Sequence, residues 1–466
     1  MSGPSRRLTP PTVVEGCAVA TVDRARTEHA EGHLVLRDGV IEAVGPGRWP
    51  GDRAGAEVVD GRGLLATPGL VNSHDHLYQW ITRGRASDHT LFAWLTELYP
   101  VWARLTPELL AAAAAAKLGW LALTGCTTSA DHHYLFPPRP GGGDRLAQAA
   151  ELVEAEIAAA AGLGLRLELA RGSMNLGRSA GGLPPDEVVE RHDDVLAATD
   201  AAIARWHDPG PAATVRIAVA PCSPFSVTPE LMRDSAALAR ERGVRLHTHL
   251  AETTDEHEFC QQRFGRSPVE YAADLGWLGE DVWLAHGVHL DDQGIKQLAA
   301  TGTGVAHCPT SNGRLGAGIA PVSQLLAAGS PVGLGVDGAA SNEAGRMVDE
   351  LRQAVLAARY RGGPRALTVR QALELATLGG ARCLGRDAEL GSLEVGKQAD
   401  VALWRIDDLA GAGIADPVAA LVLGAATVEH LFVGGRPVVQ GRTLVTADAG
   451  RLAAAAAVAA RRIGQE

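Results

Sequence analysis

Residues 244–289 read VRLHTHLAETTDEHEFCQQRFGRSPVEYAADLGWLGEDVWLAHGVH, and the reading of this stretch decides the fold class. Two short apolar runs, Val244–Glu252 and Val282–His289, are separated by a segment of helical character, and each run ends in polar residues. A strand, a helical crossover and a second strand make a parallel βαβ unit. Moving outward, the pattern recurs at Leu64–His76, Cys126–His133, Leu165–Asn175, Val215–Pro224, Gly304–Asn312 and Val332–Asn342. Eight such strands with helices between them predict an α/β fold, a (β/α)8 TIM-type barrel. Its chemistry then sits at the C-terminal strand ends. One helix is marked by its caps. Thr106 reads as the N-cap, Pro107 as the first turn and Glu108 as a first-turn carboxylate, with the end near Leu123 before Gly125.

The two ends of the chain have a different texture. His33–Arg37 and Gly39–Val44 are short β runs around an Asp38-Gly39 turn, and a second turn follows at Asp60-Gly61. Near the other end, residues 391–400 (GSLEVGKQAD) lead into Val401–Ile406, and Val428–Val433 precedes Gly434-Gly435. These regions are expected to pair into one small discontinuous β-sandwich domain. The boundaries read from the sequence are 1–65 for its first part, 66–385 for the barrel and 386–466 for its second part. The second part ends in an alanine-rich helix near Leu452–Ile463.

Composition narrows the function. The net charge is −11 and only Lys117, Lys296 and Lys397 are lysines, which argues against a nucleic-acid partner, whose phosphates need clustered cations. The six cysteines lie singly, as free thiols do in a reducing compartment. Met1–Pro11 is polar and Pro-rich without an apolar leader, and the most apolar stretch, Leu109–Leu123, carries Lys117 and is too short to span a membrane. The expectation is a cytoplasmic enzyme with no membrane partner, assembled as a homo-oligomer whose size the sequence does not give.

Chemistry-bearing residues gather at the predicted strand ends. His74-Asp75-His76 ends the first strand, and alternate residues of a strand point the same way. His247-Thr248-His249, with Glu252 three residues on, ends the fifth; His286 ends the sixth; Asp337 ends the eighth. Singly, His247 or His289 reads as a core histidine and Asp337 as a helix cap. Together, imidazoles and carboxylates at one end of a barrel point to a metal site.

This order of motifs resembles the amidohydrolase superfamily, and within it the cytosine/guanine deaminase-like branch. The stretches 68–74 (PGLVNSH) and 391–400 are similar to that family's entry and exit signatures, and the resemblance covers essentially the whole chain. It implies one Zn2+ per subunit (Fe2+ or Mn2+ being alternatives) held by His74, His76, His249 and Asp337, with a position open for water. By the same resemblance Glu252 shuttles protons, His286 orients the water and the developing oxyanion, and Asp337 takes a proton while touching the metal. Binuclear relatives bridge two metals with a strand-four lysine. Val215–Pro224 has none, which favours one metal.

The loops, among them 171–177 (RGSMNLG), 181–185 (GGLPP) and 308–312 (CPTSN), are similar to those of bacterial 8-oxoguanine deaminases. They overlap with those of isoxanthopterin deaminases and triazine hydrolases. The resemblance implies deamination of a purine-like small heterocycle, with Gln79, Glu252 and His286 contacting it. Trp94, Tyr134 and Phe225 are candidates to stack on a flat ring. Isoxanthopterin or guanine deamination and triazine dechlorination or dealkylamination are the alternatives. A non-catalytic binding scaffold is disfavoured because every expected ligand is present. Two departures stand out. Asp75 replaces the usual His or Thr and is expected to point away from the metal; Gly313 stands where Met is common, which predicts an enlarged pocket.

Overall fold

The computed structural model describes residues 10–139 and 141–465; residues 1–9 of the N-terminal stretch lie outside them. Eight parallel strands close a barrel in chain order: β6 (Leu70–Asn72), β7 (Cys126–His133), β8 (Arg166–Ser173), β9 (Val215–Pro221), β10 (Leu246–Leu250), β11 (Val282–His286), β12 (Gly304–His307) and β13 (Val332–Leu334). β13 pairs with β6 to complete the ring. Each lies within one of the eight stretches read from the sequence. The helix Pro107–Leu123 starts where its caps indicate, with the Thr106 hydroxyl accepting from the Leu109 N–H.

The chain ends supply β1 (Thr12–Ala20), β2 (Glu28–Arg37), β3 (Val40–Pro46), β4 (Glu57–Asp60) and β5 (Leu64–Pro68), then β14 (Val401–Arg405), β15 (Thr427–Val433), β16 (Arg436–Gln440) and β17 (Thr443–Leu444). They form one nine-stranded mixed sheet in the order β17-β16-β15-β14-β5-β1-β2-β3, with β4 alongside β1. The sheet has its own core, including Val14, Leu34, Ile41, Leu64, Val401 and Phe432. Its tight turns are made by Asp38-Gly39 and Gly434-Gly435. All four residues have positive φ (50°, 87°, 54° and 71°), as a two-residue hairpin of this twist requires.

The sequence pattern makes Leu64–His76 one barrel strand, and the structure divides it at Gly69, so that β5 belongs to the mixed sheet and only β6 to the barrel. Apolar runs on both sides of the break hid it, because a sheet strand and a barrel strand are buried alike. Asp400 ties the two units together. Its carboxylate takes a buried bidentate pair from the Arg166 guanidinium (2.8 and 3.0 Å) and the half-buried Gly434 N–H at 2.7 Å.

Inside the barrel, Ala130, Ala170, Ala218, Ala220 and Ala306 are buried and pack in one cluster with Trp283. Small side chains on these strands leave the volume that imidazoles and one indole occupy nearer the C-terminal end. The six cysteines are all buried and unpaired. No described helix is long and apolar enough to cross a membrane.

Candidate metal centre and active site

His74 and His76 follow β6, His249 lies on β10 and Asp337 follows β13, and their donor atoms converge. His76 Nε2 lies 3.2 Å from His249 Nε2 and 3.3 Å from Asp337 Oδ1; His74 Nε2 lies 3.4 Å from the same Oδ1. The other ring nitrogens explain why. The His76 Nδ1–H donates to the His132 carbonyl at 2.6 Å, and the His249 Nδ1–H to the Cys222 carbonyl at 2.7 Å. The His247 Nδ1–H donates to the Trp283 carbonyl at 2.9 Å, so its Nε2 is an acceptor for the His74 Nδ1–H at 2.8 Å. The imidazoles of His74, His76 and His249 are thereby fixed as Nδ1–H tautomers with bare Nε2 lone pairs.

Two lone pairs 3.2 Å apart repel unless a cation lies between them. Donors about 2.0–2.1 Å from one tetrahedral zinc stand roughly 3.3 Å from each other. The donor set therefore fits one metal ion, and the buried His74 Nε2 has no hydrogen-bond partner of its own. The imidazoles also suit the neutral form that ligation needs. Burial drives His76 down to about 3 and holds His74 and His249 below the ordinary imidazole range. Burial works against the charge of Asp337, but the imidazoles of His74, His286 and His76 beside it hold its carboxyl well below the usual range. The Ser311 and Ser341 hydroxyls donate to its Oδ2 at 2.6 and 3.1 Å, and the Gly338 N–H to its Oδ1 at 2.7 Å.

Beside the donor set stands Glu252, its Oε2 3.6 Å from His286 Nε2, which is in turn 4.0 Å from Asp337 Oδ2. Burial pushes the Glu252 carboxyl up to about 7, against the pull of His286. For His286, burial opposes the charged form, but Glu252 and Asp337 outweigh it and raise its pKa. Its Nδ1–H donates to Asn312 Oδ1 at 2.9 Å. The backbone is strained here. Ala251, His286 and Asp337 have φ of 55°, 75° and 61°, a left-handed conformation costing on the order of 1 kcal/mol for a non-glycine residue. At Ala251 the strain is held by Glu256, whose two carboxylate oxygens accept from the Ala251 and Glu252 N–H groups at 2.8 and 2.9 Å.

These groups open on one pocket, lined by His76, His249, Asp337, Glu252 and His286 on the strand side. Gln79, Trp94 and Tyr134 line it too, as do Phe225, Tyr99 and three leucines. Gln79 Oε1 accepts from the Ala340 N–H at 3.3 Å, which turns its amide N–H2 away from that backbone. A Cβ at Gly338 would stand 1.9 Å from that oxygen, so the glycine is what lets Gln79 in.

Asp75 turns away from the lone pairs as expected. Gly313 does not enlarge the pocket: it is exposed, lies outside the cavity lining, and a Cβ there would meet no atom within 4 Å. The helix Pro309–Arg314 carries it outward while Asn312 turns in. His289 stays outside the donor set, its Nε2–H donating to the Ala317 carbonyl.

Reading the sequence did not single out Asn312, Ser311, Ser341, Glu256 or Lys117. Glu256 had a visible signal, since it stands three residues after the helix-capping Thr253. Lys117 had another: it is four residues from both Ala113 and Leu121, on the buried stripe of its helix.

A (β/α)8 barrel with a histidine and aspartate metal site at its C-terminal mouth, clasped by a sheet from both chain ends, defines a metal-dependent hydrolase. A family model, the Amidohydrolase family, matches residues 65–438, and the chain belongs to the amidohydrolase family. It is 50% identical over 410 residues to an 8-oxoguanine deaminase of Pseudomonas aeruginosa, spanning 87% of this chain and 89% of that one. It is 39% identical over 409 residues to an isoxanthopterin deaminase of an unknown prokaryotic organism, spanning 83% of each. Among solved structures it superposes on atrazine chlorohydrolase from Arthrobacter aurescens TC1 complexed with zinc. The TM-score is 0.90 at 34% identity, over 96% of this chain and all of that one.

Proposed function

We propose that this chain is a zinc-dependent hydrolytic deaminase of a purine-like ring, converting 8-oxoguanine and water to urate and ammonia. The observation that carries the reading is the convergence of three bare Nε2 lone pairs and one Asp337 oxygen, with His76–His249, His76–Asp337 and His74–Asp337 at 3.2, 3.3 and 3.4 Å, beside Glu252 on one wall of a single pocket. His74, His76, His249 and Asp337 would hold one zinc, and a strand four without lysine suits a single ion. When bound, zinc supplies the Lewis acidity that makes water a nucleophile near neutral pH. The ring is proposed from the 50% identity to the P. aeruginosa 8-oxoguanine deaminase.

Glu252, poised near 7, accepts a proton from the attacking water and delivers it to the ring nitrogen beside the reacting carbon. The water oxygen bonds that carbon, the exocyclic C–N bond breaks, and Glu252 passes the second proton to the departing ammonia. His286, anchored at Nδ1 by Asn312, presents Nε2–H to the oxygen as negative charge develops there. Gln79 is the candidate amide contact for the ring edge, with Trp94 and Tyr134 against its faces.

The test is ammonia release from 8-oxoguanine, guanine and isoxanthopterin, run beside chloride and alkylamine release from triazines. Highest kcat/KM on 8-oxoguanine is expected; preferred turnover of a triazine would overturn the ring assignment while leaving the hydrolytic site intact. Metal analysis distinguishes zinc from iron or manganese. Unpaired buried thiols suit a cytoplasmic location, and the proposed homo-oligomer is checked by light scattering on the purified chain.

A further inference from the structure

Of the three lysines in the chain, Lys117 is fully buried, in the middle of the helix Pro107–Leu123. A buried ammonium needs a partner, because desolvation of an unpaired charge costs several kcal/mol. Among the described residues the carboxylate within ion-pair distance is Asp75, its Oδ2 3.3 Å from Lys117 Nζ, and Asp75 is equally buried. Gly345 leaves room for the ammonium, since a Cβ there would stand 2.9 Å from Nζ.

Asp75 lies between His74 and His76. Its Oδ1 accepts from the His76 N–H at 2.8 Å, and its Oδ2 accepts from Asn72 Nδ2 at 3.0 Å. Asn72 in turn accepts the Val336 N–H at 3.0 Å through Oδ1, one residue before Asp337. A single buried path thus runs from Lys117 through Asp75 to the His76 backbone, and through Asn72 to the Val336 backbone next to Asp337.

We propose that the Lys117–Asp75 ion pair is a positioning device for the metal centre. It fixes the turn that carries His74 and His76 and, through Asn72, the register of Asp337 against them. The two residues act as a matched pair: the carboxylate that departs from the usual residue between the histidines is balanced by a lysine in direct contact with it. Lys117 touches neither substrate nor metal. The proposal rests on the metal assignment above.

The experiment compares the full-length wild type with Lys117→Met and with the double variant Asp75→Asn/Lys117→Met. Zinc affinity is measured by chelator competition, the visible spectrum with cobalt(II) in the site, and melting temperature alongside. Lys117→Met is expected to lose about 10–100-fold in zinc affinity and to shift the cobalt spectrum, as loss of an outer partner does. The double variant leaves no unpaired charge and keeps an oxygen for the His76 N–H, but turns an amide N–H2 toward Asn72, so it is expected to recover folding and part of the affinity. It keeps the proposal testable should Lys117→Met fail to fold.

Unchanged affinity and spectrum in Lys117→Met would overturn the proposal, as would a double variant no better than the single one, since Lys117 would then act by packing alone. A wild-type chain that takes up no zinc would overturn the metal assignment itself. That failure is distinct, because it is seen before any variant is made.

Discussion

The two walls of the cavity are built by different means. On the strand side, His76, His249, Glu252, His286 and Asp337 stand at barrel strand ends, and each candidate metal donor and His286 has a second polar atom tied to a backbone or side-chain partner. On the other side, Leu91, Trp94, Leu95 and Tyr99 come from the helix Leu91–Trp102, with Phe225 and Leu315 from loops. That wall is apolar and packs by shape; Trp94 spends its one N–H on the Ala340 carbonyl at 3.3 Å. A rigid polar wall fixes where charge is stabilised and therefore which reaction runs. An apolar wall of helix and loop residues sets which flat ring fits, and it can change without disturbing the chemistry.

Breaking the polar wall should cost most. His249→Ala removes one of three convergent lone pairs and is expected to lose both bound zinc and turnover; full zinc occupancy in that variant would move the ligand assignment elsewhere. Glu252→Gln keeps the shape of the site and should retain zinc while kcat falls about 10²–10⁴-fold, the usual worth of a positioned proton shuttle. Near-normal turnover would sink the shuttle role.

The pH profile separates the same roles. With its pKa raised to about 7, Glu252 must be ionised to accept the first proton, so kcat/KM should fall as pH drops through about 7. A profile flat down to pH 5 would exclude Glu252 as the initial base.

The apolar wall should respond differently. Trp94→Leu is expected to raise KM for the ring about tenfold, roughly 1.4 kcal/mol of lost binding, with kcat changed little. A fall in kcat with KM unchanged would mean that this wall takes part in the transition state. Smallest of all, His289→Ala should leave kinetics unaltered and cost about 1 kcal/mol of stability by thermal melt, since it loses only the bond to the Ala317 carbonyl.

The barrel was legible because apolar runs ending in polar residues recur eight times, and because His74, His76, His249, Glu252, His286 and Asp337 all fall at the ends of those runs. The break at Gly69 was not, since burial on both sides leaves no change of pattern. The pocket expectation for Gly313 failed for a related reason: one step along a short helix turns a side chain by about 100°, so Asn312 faces His286 while Gly313 faces solvent.

By itself, then, the sequence determined the donor types, their strand-end placement and the absence of a strand-four lysine, because these are local properties of period-two strands. Tertiary structure alone decided the imidazole tautomers, the pairing of Lys117 with Asp75 and the hold of Glu256 on the Glu252 turn. Those depend on which backbone carbonyl or side chain meets each polar group across the closed barrel. Partners such as His74 and His247 are 173 residues apart, and no local pattern encodes such a meeting.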